Sequence, residues 1–228
     1  MLKFKGFIGV FVFLCLWNSS SVKAENTLQI VSWNVENLFY PEKDSINTDA
    51  EWTPEGTRHW GWNKYYNKIN KISQVITPIG GWGKPAIIGL CEVESEECVR
   101  DICKKINNYH YSYIHHDSKD KRGIDVAILY DSLQYKPIHI QNIPVQLDSI
   151  TYSRDILYTC GTIYNGDTIH LLMCHFPSQL GGKKDSQWKR NIANQLIQQK
   201  IDSLHIDKDA IIVMGDFNDH DNPAPQQM

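Results

Sequence analysis

Cysteine and histidine nowhere fall at the spacing of a zinc site, and no segment repeats or thins into a low-complexity linker. The chain therefore reads as one globular unit without a structural zinc. Long hydrophobic runs are also lacking. The only candidate, Phe7 to Trp17, is too short to cross the ~30 Å hydrocarbon core of a bilayer. Positive charge is in short supply, with 23 Lys+Arg against 26 Asp+Glu and a net charge of −3. Bulk electrostatics then give no help in approaching a polyanion, so nucleic-acid binding would need a local basic patch or a bound cation.

The N-terminus reads as a secretory signal over residues 1–24. Lys3 and Lys5 supply the positive region, the run to Trp17 the apolar region, and Val22-Lys23-Ala24 a small-residue cleavage pattern. Cys15 lies in the apolar run without the small residues that precede a lipidation site, so no stable membrane anchor is expected. Cleavage after Ala24 removes three lysines and no acid, which moves the net charge from −3 to −6 and leaves residues 25–228 as a secreted or periplasmic domain. Five cysteines remain. Cys91 and Cys174 sit in apolar segments, and Cys98 and Cys103 stand about 140° apart around a predicted helix, a poor geometry for a bridge. All five are expected to be structural thiols.

Strand and helix signals alternate, which makes the class α/β. Strands are predicted near 28–34, 86–92, 111–115, 124–130, 137–142, 156–164, 168–175 and 210–216, and helices near 63–77, 93–108 and 185–204. Tyr65, Ile69, Ile72 and Ile76 recur at helical spacing in the first helix, which Pro78 should stop. Trp188, Ile192, Leu196, Ile197, Ile201 and Leu204 do the same in the third. Tyr164-Asn165-Gly166-Asp167 is a hairpin signal.

Four apolar strands discharge polar residues at their carboxyl ends. Leu28–Asn37 ends in Asn34 and Glu36, Ala86–Glu94 in Glu92 and Glu94, Thr168–Gln179 in His175 and Ser178, and Ala210–Asp219 in Asp216 and Asn218. Side chains at i and i+2 share a strand face, so Asp216 and Asn218 should point together, although an ordinary Asx-type turn is the bland reading. Open α/β sheets place ligands outside the carboxyl ends of their strands. An amide, a carboxylate, an imidazole and an Asp/Asn pair at one mouth suit cation-assisted hydrolysis of a phosphoester.

The segments SWNVENLF (Ser32 to Phe39), GLCEVE (Gly89 to Glu94), RGIDVAILY (Arg122 to Tyr130), SRDIL (Ser153 to Leu157), HFPSQ (His175 to Gln179) and GDFND (Gly215 to Asp219) together resemble the endonuclease/exonuclease/phosphatase superfamily, in that family's order. The resemblance implies a four-layer sandwich of two mixed β-sheets flanked by helices, and a phosphodiesterase or phosphomonoesterase using Mg²⁺ or Mn²⁺. It implies Glu92 as the carboxylate holding the cation and Asn34 as support for that cation, for Glu92 or for the phosphate. Asp216 would orient or deprotonate the attacking water, and Asn218 would donate to the phosphoryl oxygens. His175 would contact the phosphate or protonate the leaving oxygen. Ser178, Arg122 and Arg154 would bind substrate, with Asp125 pairing one of the arginines. Glu94 is expected to be a helix N-terminal acid, and Glu36 and Asn37 local structure. The family's closing strand, with its Ser-Asp-His motif, has no counterpart, since His220 stands in a polar run. The sandwich is therefore expected to lack its last strands.

Asp49 to Tyr66 packs three tryptophans, two tyrosines, Arg58 and His59 between the first strand and first helix, either to stack on a substrate or to cover a sheet. Three functions stay open at this point: a cation-dependent phosphoester hydrolase, an inactive fragment, and a nucleotide- or glycan-binding module. The substrate could be a nucleic acid, a lipid head group or a sugar phosphate, and a monomer is expected.

Overall fold

The structure is a computed structural model that describes residues 28–42, 50–79, 84–106, 110–179, 182–204 and 209–219. The predicted signal segment, Cys15, Asp49 and His220 lie outside the described residues. In chain order the elements are β1 (Ile30–Leu38), α1 (Trp62–Ile79), β2 (Ile87–Val93), α2 (Glu96–Ile106), β3 (Tyr111–His115), β4 (Asp125–Asp131), β5 (Tyr135–Gln146), β6 (Tyr152–Ile163), β7 (Thr168–His175), α3 (Lys183–Ser203) and β8 (Ala210–Asp216), with one turn of 3-10 helix at Ala50–Trp52.

Two four-stranded sheets form, ordered β1-β2-β4-β3 and β5-β6-β7-β8. Each is mixed: β1 and β2 run parallel, as do β7 and β8, and the remaining pairs are antiparallel. Strand alternation sorts the apolar side chains into three cores. One lies between the sheets (Ile87, Cys91, Ile128, Leu171, Met173, Met214). A second lies under α1 and α2 (Tyr65, Ile69, Ile88, Leu90, Ile102). The third lies under α3 (Ile156, Tyr158, Leu172, Ala193, Ile197). Three cores separate four layers, helices outside and sheets within, the expected α/β sandwich.

Several elements differ from their sequence signals for local reasons. β5 runs through Pro137 and Pro144 because its ladder with β6 slips at both prolines, where no N–H is required of an edge strand. α2 starts at Glu96 rather than 93, because Val93 still pairs with Leu38 and Asp125. Glu94 is buried and accepts from the Tyr40 N–H at 2.6 Å. Glu94 is thus a strand-end anchor, and Glu96 and Glu97 are the acids of the first helical turn. α1 carries Pro78 in its last turn and ends one residue beyond it. α3 presents a rotated face: Ser186, Arg190, Ala193 and Ile197 are buried while Trp188 is 45% exposed.

The β6–β7 turn closes as its Asn-Gly signal suggests, with Gly166 at φ 91°. All five described cysteines are free thiols. No helix among the described residues is long and apolar enough to cross a membrane.

Candidate active site

The side-chain parity of three strands, and a bulge in a fourth, converge on one mouth. On β7, Ile169, Leu171 and Met173 face the inter-sheet core, so His175 continues on that side. On β8, Ile212 and Met214 do so and Asp216 follows. The two strands are in register there, His175 opposite Asp216. On β1, Ile30 faces inward while Val31, Trp33 and Val35 face the helices, which leaves Asn34 inward.

Glu92 needs a device. Ile88 and Leu90 face α1 and α2, and simple alternation would send Glu92 the same way. The β2–β4 register instead shifts between Cys91 and Val93, and Val93 takes the apolar position. Glu92, at φ 67°, is the bulged residue and is redirected to the mouth. Among the described residues, four of the five non-glycine positive-φ positions (Glu36, Asn37, Glu92 and Asn218) belong to this mouth. Such backbone persists only where the surroundings over-determine it, and it gathers at functional sites.

Asn34 is the junction of the two sheets. Its Nδ2 donates to Glu92 Oε1 at 3.1 Å and to Asp216 Oδ2 at 3.0 Å, while its Oδ1 accepts from the Glu36 N–H at 2.8 Å. Only this orientation of the amide makes all three contacts donor to acceptor. Glu92 Oε2 accepts from the Asn37 N–H at 2.7 Å, and His175 Nε2 lies 3.8 Å from Glu92 Oε1. Burial first, and the nearby Arg154 charge second, push the His175 pKa down to about 4, so the ring is neutral at pH 7. Its Nδ1 is buried without a partner among the described residues.

Asp216 and Asn218 do not extend a common strand face. Gly215 sits at φ 136°, and a Cβ there would lie 1.8 Å from the Cys174 carbonyl oxygen, so only glycine admits this close approach of β8 to β7. Beyond it the chain makes the Asx-type turn, Asn218 N–H donating to Asp216 Oδ1 at 2.9 Å. Asn218 Nδ2 donates to the Phe176 carbonyl at 2.9 Å, which uses one of its two amide hydrogens. The turn is thus part of the site's framework.

The arginines occupy different environments. Arg122 is exposed and its Nη2 donates to Asn37 Oδ1 at 3.0 Å. Arg154 is buried on β6, with Nε donating to the Ile124 carbonyl at 3.3 Å and standing 3.8 Å from Asp120 Oδ1. Asp125 does not make the expected arginine pair. Its Oδ2 accepts from the Ser118 N–H at 3.0 Å, and burial raises its pKa to about 6. Ser178 is exposed and lines one cleft with Arg122 and Arg154.

Two positioning residues escape a sequence reading. Asn37 acts on Glu92 through its backbone N–H, which no side-chain pattern encodes. Arg190, 1% exposed, donates to Ser186 Oγ at 2.9 Å, to the Lys183 carbonyl at 3.1 Å and to the Pro177 carbonyl at 3.5 Å, tying α3 to the segment after His175. A cation on the stripe of Ala193 and Ile197 was the available signal. The aromatic segment mainly covers the first sheet: Trp60 donates to the Phe39 carbonyl at 2.7 Å and Tyr65 is fully buried. Trp52, with Arg58 4.8 Å above its ring, also lines a cavity of about 290 Å³ shared with Asn37 and Arg122.

No curated protein sequence matches the chain. Among solved structures, TDP2 of D. rerio, in a complex with single-strand DNA product, is 18% identical with a TM-score of 0.57, over 85% of this chain and 62% of its own. A mannosyl-6-phosphatase of Bacteroides thetaiotaomicron is 19% identical with a TM-score of 0.57, over 84% and 66%. ANGEL2, a 2′,3′-cyclic phosphatase, is 13% identical with a TM-score of 0.59, over 85% and 53%. The chain spans less than two thirds of each, and at such identities the likeness is one of fold. The sequence profile of one family matches residues 29–227, nearly the whole chain. On that match the chain belongs to the endonuclease/exonuclease/phosphatase family.

Proposed function

We propose that the chain hydrolyses phosphoester bonds with the help of a hard divalent cation, Mg²⁺ or Mn²⁺. What supports this most is the Asn34 amide held between Glu92 of one sheet and Asp216 of the other. Two carboxylates brought to one amide at the end of a cleft are costly to assemble for stability alone. Two of the solved structures of the same fold are named as a mannosyl-6-phosphatase and a 2′,3′-cyclic phosphatase, both phosphatases by name.

The donor set fits such a cation. Among the described residues no three His, Cys, Asp or Glu side chains cluster as a zinc site would require. One or two carboxylates with water and substrate oxygens satisfy Mg²⁺ or Mn²⁺. Glu92 would hold the ion, with Asn34 and the Asn37 N–H fixing the carboxylate's orientation. Bound there, the ion supplies positive charge to the phosphoryl oxygens as negative charge builds on them.

The remaining roles belong to the side chains. Asp216, held by Asn34 and the Asn218 N–H, accepts the proton of the attacking water. Asn218 has a second amide hydrogen for a phosphoryl oxygen. Neutral His175 suits hydrogen-bond donation to the phosphate better than protonation of the leaving oxygen. Arg122 and Ser178, which line one cleft, would contact the substrate. On this reading the signal pattern at 1–24 directs the activity to the periplasm or the exterior.

The test is hydrolysis of bis(p-nitrophenyl) phosphate by residues 25–228, shown to be folded by circular dichroism. Turnover should need Mg²⁺ or Mn²⁺ and fall at least ~100-fold in Glu92→Ala, about the loss expected for one key electrostatic group. A folded chain inert with both ions would overturn the proposal.

A further inference from the structure

On the α3 side of the mouth lies a cleft of about 590 Å³ whose charge is opposite to that of the molecule. Among the described residues, Lys121, Arg122, Arg154 and Lys189 line it against a single acid, Asp120, in a chain of net charge −3. That acid is already engaged, accepting from the Arg122 N–H at 2.9 Å and facing Arg154 Nε at 3.8 Å. Arg154 is 5% exposed, and its Nη2 is buried with no hydrogen-bond partner among the described residues. A guanidinium nitrogen left in that state carries a desolvation cost that an anionic ligand would offset.

Beside Leu147 and Pro177, the wall carries Thr151, Ser153 and Ser178, whose hydroxyls can serve phosphate oxygens. Tyr152 lies on the same wall and carries Lys119 Nζ 4.9 Å from its ring, adding a cation to the rim. Continuity with the mouth is direct. Arg122 reaches Asn37, whose N–H holds Glu92, and Pro177 and Ser178 follow His175 within three residues. One guanidinium from the hydrolytic site and one lysine from α3 therefore border the same space.

We propose that this cleft binds a second phosphoryl group of the substrate, beyond the one being hydrolysed. Preferred substrates are then polyanionic phosphoesters rather than isolated monoesters or neutral-armed diesters. This rests on the hydrolase reading for its first phosphate and adds the recognition of the second. The second phosphate could belong to the next linkage of a nucleic-acid strand or to a small molecule phosphorylated twice.

Binding separates this inference from turnover. A fluorescein-labelled oligothymidylate and inorganic tripolyphosphate would be titrated into residues 25–228 across a salt series. The comparison is among the unchanged protein, Lys121→Ala/Lys189→Ala, and Lys105→Ala on the distant α2. The double variant should bind at least one probe about tenfold more weakly and with a salt slope shallower by nearly two, about one per lost phosphate contact. The Lys105 variant should match the unchanged protein. Loss confined to the oligonucleotide supports a strand as the source, and loss confined to tripolyphosphate supports a small molecule. Unaltered binding of both probes by the double variant, or an equal loss in the Lys105 variant, would overturn the proposal even if the aryl ester is hydrolysed.

Discussion

Asn34 carries more of the site than its size suggests. An amide between two carboxylates separates like charges that would otherwise repel across the sheet junction, and it donates to both at about 3 Å. Asn34→Asp would place a third carboxylate there. In EDTA this variant should lose about 1–2 kcal/mol of stability, on the scale of a buried hydrogen bond replaced by repulsion. Millimolar Mg²⁺ should restore part of the loss, read as a shift of Tm. An equal Tm with and without Mg²⁺ would count against a cation site at Glu92. Asp125 gives a second expectation, of opposite chemistry. Burial raises its folded pKa to about 6, above its unfolded value of 3.8. The folded state therefore holds the proton more tightly, and the resulting stabilisation is complete below pH 3.8 and lost as pH rises through 6. Asp125→Asn should flatten the stability profile between pH 4 and 6, measured by urea unfolding. An unchanged slope in that window would refute the assignment.

At the scale of elements, the carboxyl ends of β1, β2, β7 and β8 do the assembling, and β2 and β8 need an irregularity to do it. The bulge at Glu92 turns a side chain from the helix side of the sheet to the mouth, and Gly215 lets β8 approach β7 closely enough to align Asp216 with His175. Gly215→Ala should destabilise the protein by at least ~2 kcal/mol, because the added Cβ meets backbone rather than a movable side chain. Its unfolding midpoint in urea should fall with the m-value unchanged. A midpoint equal to that of the unchanged protein would show that the approach is not tight.

The sequence makes the eight strands and three helices legible, and four of the strands as a site, since apolar runs ending in Asn, Glu, His and Asp are plain in it. It conceals the bulge at Glu92, because register depends on the partner strand β4. It also conceals the face of α3, because Arg190 is buried by carbonyls contributed from elsewhere, which a helical stripe of Ile and Leu cannot reveal. Asn37 was hidden for a third reason: its contribution to Glu92 is a main-chain N–H. The Asp216–Asn218 pair was legible as a site but not as a shape, since the left-handed turn at Asn218 ends strand alternation.

For the molecule as a whole, two sheets of four strands, each with a parallel pair at one edge, bring Asn34 and Glu92 from one sheet to His175 and Asp216 from the other. The inter-sheet core beneath them holds the two halves at fixed spacing, with Cys91 Sγ donating to the Cys174 carbonyl at 3.5 Å just under the mouth. Burial pushes the Cys91 thiol up to about 12, so it is a packing group there rather than a nucleophile. Charge is divided on the same plan: two carboxylates at the mouth, and beside it a cleft lined by Lys121, Arg122, Arg154 and Lys189. The central claim is that side chains from the two sheets act as a single catalytic unit. Its most direct test compares Mg²⁺- or Mn²⁺-dependent phosphodiester turnover in Glu92→Ala, Asp216→Ala and the double variant. The account predicts a large loss in each single variant and little further loss in the double, as for residues that work together. Losses that multiply, or a single variant that retains full turnover, would contradict it.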